Sequence, residues 1–473
     1  MLKKKIPEEQ FLYNFKIEDH IPNDHFLRLV KTNINFDFIY KKVEHLYSHT
    51  GQPAVDPVVL IKMLLIGYFY NIKSERQLVK EIQVNLAYRW FINYGMDEKI
   101  PDHSTISQTR RRKFKDSKLF EEIFDEILRK CIEKGYVNGE TILTDSTFIK
   151  ANASIGSLKE IPKKIEEYLE ELEKNTEKVI KKKPEKKLSN QTHISKTDPE
   201  SKLADKRSSN FPLGLYYHEH RSIDLSGYIT DVYVTPGNVK EHEPYLQRIM
   251  RQKLVYQLPI KNLVGDRAYG IPEIYKKTSE LGFNLFASPK YEGRKKEGFF
   301  ERKEFKYLKD QDVYQCPAGE ILKKKTYEAH RTRWTYSGKW KTCRACEKRN
   351  DCIDTRGKIP RPKTFVRNDI QDLIDEILQK KDSFEWKYYM NRRRVLCEGS
   401  YGDAKANHGL GKAKFRGLKS VQEQSLMTAI AQNIKKLIKD LKGKTSLSLK
   451  NLKNIVEIQL NIFFSGFCFE LKV

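Results

Sequence analysis

Between Gly139 and Lys290 the chain changes its hydrophobic period several times, and this alternation restricts the fold more than any other feature. GETILTDSTF, rich in β-branched residues, reads as a short strand ending on Asp145. LGLYYHEHRSIDLSGYITDVYVTPGN supplies two further β-rich runs on either side of Gly227, a hairpin signal. EHEPYLQRIMRQKL is helix-like, and IKNLVGDRAYG reads as a third strand, ending on Asp266. PEIYKKTSELG then predicts a helix and FNLFASPK another strand. Strands alternating with helices define an α/β layer, and in such sheets sites collect at the carboxyl ends of strands. On that strand reading, His218 and His220 share one face; a metal pair or ordinary surface histidines both fit, and they are left unassigned.

The flanks differ. Residues 1–130 read as mostly helical, with Asp56 as N-cap and Pro57 at N1 of VDPVVLIKMLLIGYFY, and Ser74 capping the next helix. PDHSTISQTRRRKF, capped by Asp102 or Ser104, carries Arg110, Arg111, Arg112 and Lys113. A compact helical unit ending in a basic helix is how helix-turn-helix DNA readers look, although cations also favour helix C-termini for their own sake. Residues 155–210 read as a Lys-rich insertion in the 138–290 part of the core, its charged helix a solvated or weakly coiled arm. Residues 291–368 form a second insertion, dense in basic and aromatic residues. Residues 369–445 return to helix, and 446–473 read as an apolar strand or docking segment of unknown role.

At 473 residues the length suggests about three domains. Lys and Arg number 89 against 63 Asp and Glu, a net charge of +26 that favours a polyanionic partner such as nucleic acid. The best apolar run, from Val58, is broken by Lys62 and too short to cross a bilayer, so no membrane association is expected. MLKKKIPEEQ lacks a following apolar stretch, and seven cysteines in so long a chain do not make a disulfide scaffold. A reducing cytoplasmic setting is therefore expected.

Asp145, Asp266 and Glu398 are three carboxylates in a strongly cationic chain. Such a set suits phosphodiester chemistry: hard Mg²⁺ is held by carboxylates, and two such ions roughly 3.5–4 Å apart activate an attacking oxygen and stabilise a leaving one. In RRRVLCEGSYGDAKANHG, Arg394 stands four residues before Glu398, which suits a surface ion pair worth a few tenths of a kcal/mol. Gly399 and Gly402 weaken that reading, because each glycine costs roughly 1 kcal/mol inside a helix. They fit better where a backbone comes close to a partner.

TDSTFIKANAS, VGDRAYG and the R-x3-E-x6-K pattern of Arg394, Glu398 and Lys405 resemble the three acidic motifs of the DDE transposases of bacterial insertion sequences. GQPAVDPVVLIKMLLIGYFYNIKSERQL and PDHSTIS are similar to the N-terminal helical domain of one large subgroup, as are VTPGN and FRGLKSVQEQSLMTAIAQNIKKL. The resemblance touches nearly the whole chain, and the order and separation of its motifs make the set specific. It implies an RNase H-like mixed sheet flanked by helices, an all-α N-terminal domain that binds DNA ends, and a small cysteine-containing insertion. It also implies that Asp145, Asp266 and Glu398 bind Mg²⁺ or Mn²⁺ as catalytic residues. Arg394, Lys405 and Arg416 would position DNA. One departure stands out: where the family's glutamate motif often has a Tyr three residues before the Arg, this chain has Asn391, with Tyr388 and Tyr389 just upstream.

Cys316, Cys343, Cys346 and Cys352 can close a tetrahedral Zn²⁺ site, but only one C-x2-C pair is present, and four reduced thiols are the alternative. The subgroup shows a similar cysteine-bearing insertion. Trp334, Tyr336 and Trp340 either stack on bases or pack a small domain. Cys131, Cys397 and Cys468 read as small buried apolar residues.

The function implied is a DNA transposase that binds the terminal inverted repeats of its element, cleaves to a 3′-OH and joins it to target DNA. A homodimer in the DNA complex and a nucleoid-associated cytoplasmic setting follow from the resemblance alone. The rivals are a metal-dependent nuclease on the same core and an inactive DNA-binding derivative.

Overall fold

The computed structural model describes residues 16–467 apart from 49, 51–53, 115–116, 162–187, 205–211, 291–298, 301–303, 330–332, 354–360 and 382, with side chains described to 443. The chain divides into two compact units, Met1–Ile260 with Arg393–Val473, and Lys261–Arg392.

The first unit opens with helices α1 (Phe26–Asn33), α2 (Phe38–Val43), α3 (Pro57–Phe69), α4 (Glu75–Val84), α5 (Leu86–Phe91), α6 (His103–Thr109) and α7 (Leu119–Glu133). The caps fall where the sequence puts them. Asp56 Oδ1 accepts from Val58 N at 2.7 Å, Pro57 opens α3, and Ser74 Oγ accepts from Gln77 N at 3.2 Å. Every residue of α3 is buried, Lys62 included, and burial lowers that lysine's pKa to about 8. Its ammonium lies beside the rings of Phe36 and Phe91.

Strand β1 (Thr141–Lys150) does not end on Asp145 as expected but runs five residues past it. The polar Asp-Ser-Thr triplet looks like a turn in isolation. In the fold it pairs antiparallel along its whole length with a later strand, from Ile142 opposite Asp224 to Lys150 opposite Tyr216. Two short strands, β2 (Leu158–Glu160) and β3 (His193–Ser195), pair with each other, and β4 (Lys202–Ala204) joins β5 (Gly214–Asp224). The charged helix expected in the Lys-rich insertion lies outside the described residues. β5 and β6 (Ile229–Pro236) form the expected hairpin, with Gly227 at φ 86°, where a side chain would be strained.

This register sorts the side chains. Residues directly opposite in an antiparallel pair share a face, so Asp145, Thr147 and Ile149 stand with Arg221, Glu219 and Tyr217. Ser146 and Phe148 stand on the other face with His220 and His218. α8 (Tyr245–Val255) covers that second face at Gln252, which hydrogen-bonds Thr230 and Ser222.

In the second unit, β7 (Asn262–Val264), α9 (Pro272–Glu280) and β8 (Asn284–Phe286) make a parallel strand pair joined by a helix. Beside them in sequence stands a five-stranded antiparallel sheet: β9 (Lys306–Leu308), β10 (Val313–Gln315), β11 (Ile321–Glu328), β12 (Arg333–Ser337) and β13 (Thr364–Asn368). Phe305, Tyr314, Leu322 and Tyr336 fill its core, with Trp334 partly buried against it. The unit also holds α10 (Trp340–Ala345), α11 (Arg349–Cys352) and α12 (Gln371–Lys380). α13 (Phe384–Asn407) crosses the sequence boundary between the units.

The chain ends in α14 (Leu418–Phe467), so the apolar tail expected as a strand or docking segment is helical through Phe467. Antiparallel and parallel strand pairs with covering helices make this an α/β core.

Within the first unit, α14 packs on α1, α3, α7 and β6. Its amides serve the backbone of β6: Gln422 accepts from Val234 N and donates to Val232 O, and Asn433 accepts from Ile229 N and donates to Ile229 O. An edge strand's backbone groups, open to unwanted pairing, are thus satisfied by a helix.

Between α13, α14 and the sheet lies the Glu219–Arg221 ion pair, both side chains fully buried, at 2.6 Å. Arg221 also donates to Ser400 Oγ on α13 and Gln432 Oε1 on α14, and lies 4.7 Å from the Tyr401 ring. Breaking one partner of such a pair leaves an uncompensated buried charge, worth about 3–5 kcal/mol. Arg221→Met is expected to lose that much stability in urea unfolding, and the double change Glu219→Gln with Arg221→Met to recover most of it. Equal stability of Arg221→Met and wild type would contradict the role given to the pair.

Candidate active site

Asp145 lies near the middle of β1, half-buried, on the face covered by α13. Ser146 N donates to its Oδ1 at 2.9 Å, and Arg393 Nη1 stands 3.0 Å from its Oδ2. The arginine of the sequence motif, Arg394, is exposed; its neighbour Arg393 makes the contact. Helical spacing explains the substitution. Arg393 shares a stripe with Cys397, Tyr401 and Ala404, which are buried against the sheet, while Arg394 falls outside it.

Glu398 is exposed, one residue from buried Cys397, and makes no hydrogen bond or ion pair among the described residues. The surface ion pair with Arg394 that its spacing allows is therefore not formed. A Cβ added at Gly399 or Gly402 would meet no neighbouring atom within 4 Å, so the backbone beside Glu398 is open. Burial, then the Asp145 carboxylate, push the Cys397 thiol well up; Arg393 and Arg221 oppose them, and Glu398 adds to the rise. Asp145 and Glu398 thus act electrostatically on one thiol.

Two residues tie α13 to β1. Tyr401, one turn beyond Glu398, donates its hydroxyl to the carbonyls of Asp145 and Glu219, each at 3.2 Å. Lys405 Nζ donates to Thr147 Oγ1 at 2.7 Å, two residues past Asp145. Lys405 therefore sits on the strand that bears the acid. The position where the family often has a tyrosine, Asn391, is exposed. Tyr389 instead packs 4.8 Å from Phe286 and accepts from Asn262 Nδ2 within the second unit.

Asp266 lies in that second unit, two residues beyond the end of β7, half-buried, its Oδ1 accepting from Ala268 N at 2.7 Å. It shapes the turn there.

His218 and His220 are buried, not on the surface. His218 donates from Nδ1 to Val239 O at 3.0 Å, so its Nε2 accepts from Ser146 Oγ at 2.9 Å. His220 Nε2 meets Thr235 Oγ1 at 2.9 Å, and burial holds its pKa well below the ordinary value. Three of their four ring nitrogens are engaged by protein groups, which disfavours a metal pair.

The cysteines Cys316, Cys343, Cys346 and Cys352 are reduced, half-buried and gathered in the five-stranded module. Burial raises the Cys352 thiol, and the other three add to the rise. Among the described residues no group of three or more His, Cys, Asp or Glu stands in an arrangement that could hold a metal ion. For zinc, soft thiols in one small module are the right donors; their present spacing is not a ligand cage. For a hard divalent cation, carboxylate oxygens such as those of Asp145 and Glu398 are the right donors, and among the described residues Glu398 has no competing partner.

The description Transposase domain (DUF772) matches residues 15–112, and Transposase DDE domain matches residues 315–438, a span that includes Glu398. Together these two matches support a DDE transposase of the insertion-sequence type over the residues they cover. No curated protein matches the chain. Among solved structures, the Mos1 transposase paired-end complex with left transposon end is 10% identical, covers 50% of this chain and 60% of that one, and has a TM-score of 0.16. The Mos1 strand transfer complex is 9% identical, covers 76% and 81%, and scores 0.17. The chain spans about three fifths of the length of the first of these. Such scores mark slight overall likeness. Among the described residues, no helix is long and apolar enough to cross a membrane.

The basic run inside the first match divides in the structure. Residues Arg110–Phe114 form a π-helical turn after α6, whose N-cap is Asp102. Arg111 and Arg112 are exposed, and Lys113 Nζ lies 3.9 Å from the Tyr47 ring. Arg110 is buried, 3.2 Å from Glu75 and 3.4 Å from Glu423, and stacked 3.4 Å over the Phe415 ring. The expectation that Arg110 touches DNA is corrected: it ties α4 to α14 instead.

Burial raises the Glu423 carboxyl from its ordinary 4.5 to about 7, against the pull of Arg110. The folded chain therefore binds this proton more tightly than the unfolded chain does. The stability it contributes is complete below pH 4.5 and is lost as pH rises towards 7. The stability of Glu423→Gln relative to wild type is expected to rise over that window by on the order of 3 kcal/mol and then level off. Parallel pH–stability curves for the two proteins would contradict the shift.

Proposed function

We propose that the chain is a transposase that binds the terminal inverted repeats of its insertion sequence as double-stranded DNA. It cleaves a phosphodiester to free a 3′-OH and transfers that end to target DNA by metal-dependent chemistry. One observation carries the reading: among the described residues Glu398 is an unpartnered carboxylate, on a helix fastened to the Asp145 backbone through the Tyr401 hydroxyl. An acid left uncompensated on that helix is available to a cation that arrives with substrate.

Asp145 and Glu398 would hold Mg²⁺ or Mn²⁺, which when bound activates the attacking oxygen and stabilises the leaving one, and Asp266 is the third acid that the sequence resemblance implies. The chain's own residues do the positioning. Tyr401 and Lys405 set the separation between α13 and β1, and Arg393 balances the charge of Asp145. Arg394, Arg416, Arg111, Arg112 and Lys113 would meet DNA phosphates, and Arg111 and Arg112 are exposed on the N-terminal helices, the DNA-end-binding domain of this reading. The β5–β6 hairpin paired on β1 supports an RNase H-like core for the chain. A homodimer that pairs two DNA ends in the nucleoid-bearing cytoplasm completes the reading.

The test uses purified protein with Mg²⁺ or Mn²⁺ and labelled duplexes from the edges of the gene's own locus. Glu398→Gln and Asp145→Asn are each expected to slow cleavage and joining by roughly a hundredfold or more, about 2.7 kcal/mol in the barrier, with DNA binding kept. Cleavage by Glu398→Gln at the wild-type rate would refute the assignment, and cleavage without joining would indicate a nuclease.

The four clustered cysteines extend the proposal to one structural Zn²⁺. Elemental analysis of protein purified without chelators is expected to give about one zinc per chain; a ratio near zero removes the ion.

A further inference from the structure

An open cleft of about 650 Å³ lies at the far end of β1, in the first unit. Lys150, Lys412 and Arg416 line it together with Ser154 and Thr197, and no carboxylate does among the described residues. The backbone fixes the cations in place. Lys150 N donates to Gly411 O at 3.2 Å and Ala413 N donates to Lys150 O at 2.8 Å, an isolated parallel bridge that sets Lys150 beside Lys412. Arg416 Nε donates to Asn152 O at 3.2 Å, which steadies the guanidinium and leaves its terminal nitrogens to the cleft. The side chains of Lys150 and Lys412 have no hydrogen-bond or ion-pair partner among the described residues. Three like charges gathered in a concave wall repel one another, and their fields add where an anion would sit. Guanidinium, ammonium and hydroxyl donors together suit the oxygens of a phosphate.

We infer that this cleft binds the phosphate backbone of DNA, an inference that rests on the transposase reading. Lys150 stands five residues along β1 from Asp145, about 17 Å at roughly 3.3 Å per residue. That distance corresponds to about five base-pair steps of roughly 3.4 Å. A duplex engaged at the carboxylates has phosphates within reach of the cleft. The cleft is also much larger than one free phosphate needs and is open to solvent, as a continuous backbone requires. A free phosphate or mononucleotide shares the chemistry and is the alternative source.

The experiment measures binding of fluorescent duplex DNA by anisotropy from about 50 to 200 mM salt, for wild type and for Lys150→Gln with Lys412→Gln. Both lysines are exposed, so the change spares the core. Losing two phosphate contacts is expected to reduce the slope of log K against log salt by about 1.8, with weaker binding to terminal and unrelated sequences alike. A slope equal to wild type overturns the cleft's role while leaving the function reading in place. Wild type that binds no duplex at all overturns both. Thermal stabilisation by inorganic phosphate that the double variant loses, with an unchanged DNA slope, assigns the cleft to a free anion and likewise overturns the inference.

Discussion

The buried Glu219–Arg221 pair is the interaction on which the first unit turns. Arg221 stands directly opposite Asp145 across the β1–β5 ladder, and Glu219 opposite Thr147. Ionised groups taken out of water are costly unless their hydrogen-bonding capacity is met, and here Arg221 is met from three elements: Glu219 on its own strand, Ser400 on α13 and Gln432 on α14. These partners fix where α13 crosses the sheet. Tyr401 then places its hydroxyl on the Asp145 carbonyl, and Glu398 one turn earlier follows from helical geometry alone.

That frame explains how a chain of net charge +26 keeps an acid available. Arg393 lies on the buried stripe of α13 and reaches Asp145, whereas Glu398 lies on the open stripe with Gly399 and Gly402, where among the described residues it pairs with no cation. The helix thus separates a compensated carboxylate from an uncompensated one by its periodicity. Lys405, further along, is drawn down to Thr147 and fastens the same helix a second time. In the proposed chemistry both carboxylates meet the cation that substrate phosphates bring, and the basic cleft at the end of β1 receives the same DNA further along.

Local signals were legible in the sequence where local physics decides them. Asp56, Pro57 and Ser74 begin helices because their side chains satisfy the first free N–H groups, and Gly227 turns the hairpin because its φ is positive. What depends on register was hidden. Asp145 reads as a strand end until β5 is seen to pair past it, and His218 and His220 stay unassigned, a metal pair or surface residues, until the fold shows them buried. Arg110 looks like one of four basic DNA contacts, yet Glu75 and Glu423 arrive from other elements and bury it. Arg393 was within reach of a helical-wheel argument, because it precedes Cys397, Tyr401 and Ala404 at spacings of four, eight and eleven. The R-x3-E spacing singles out Arg394 instead. Arg221 and Glu219 carried no local signal at all, since their importance lies in what crosses them.

The central claim is that Asp145 and Glu398 belong to one divalent-cation site. The most direct measurement is anomalous scattering from crystals of the whole chain grown with Mn²⁺ and a terminal duplex. A manganese peak is expected in contact with the carboxylates of Asp145 and Glu398, lost in crystals of Glu398→Gln. Manganese bound elsewhere, with both carboxylates bare in well-ordered density beside the DNA, would contradict it.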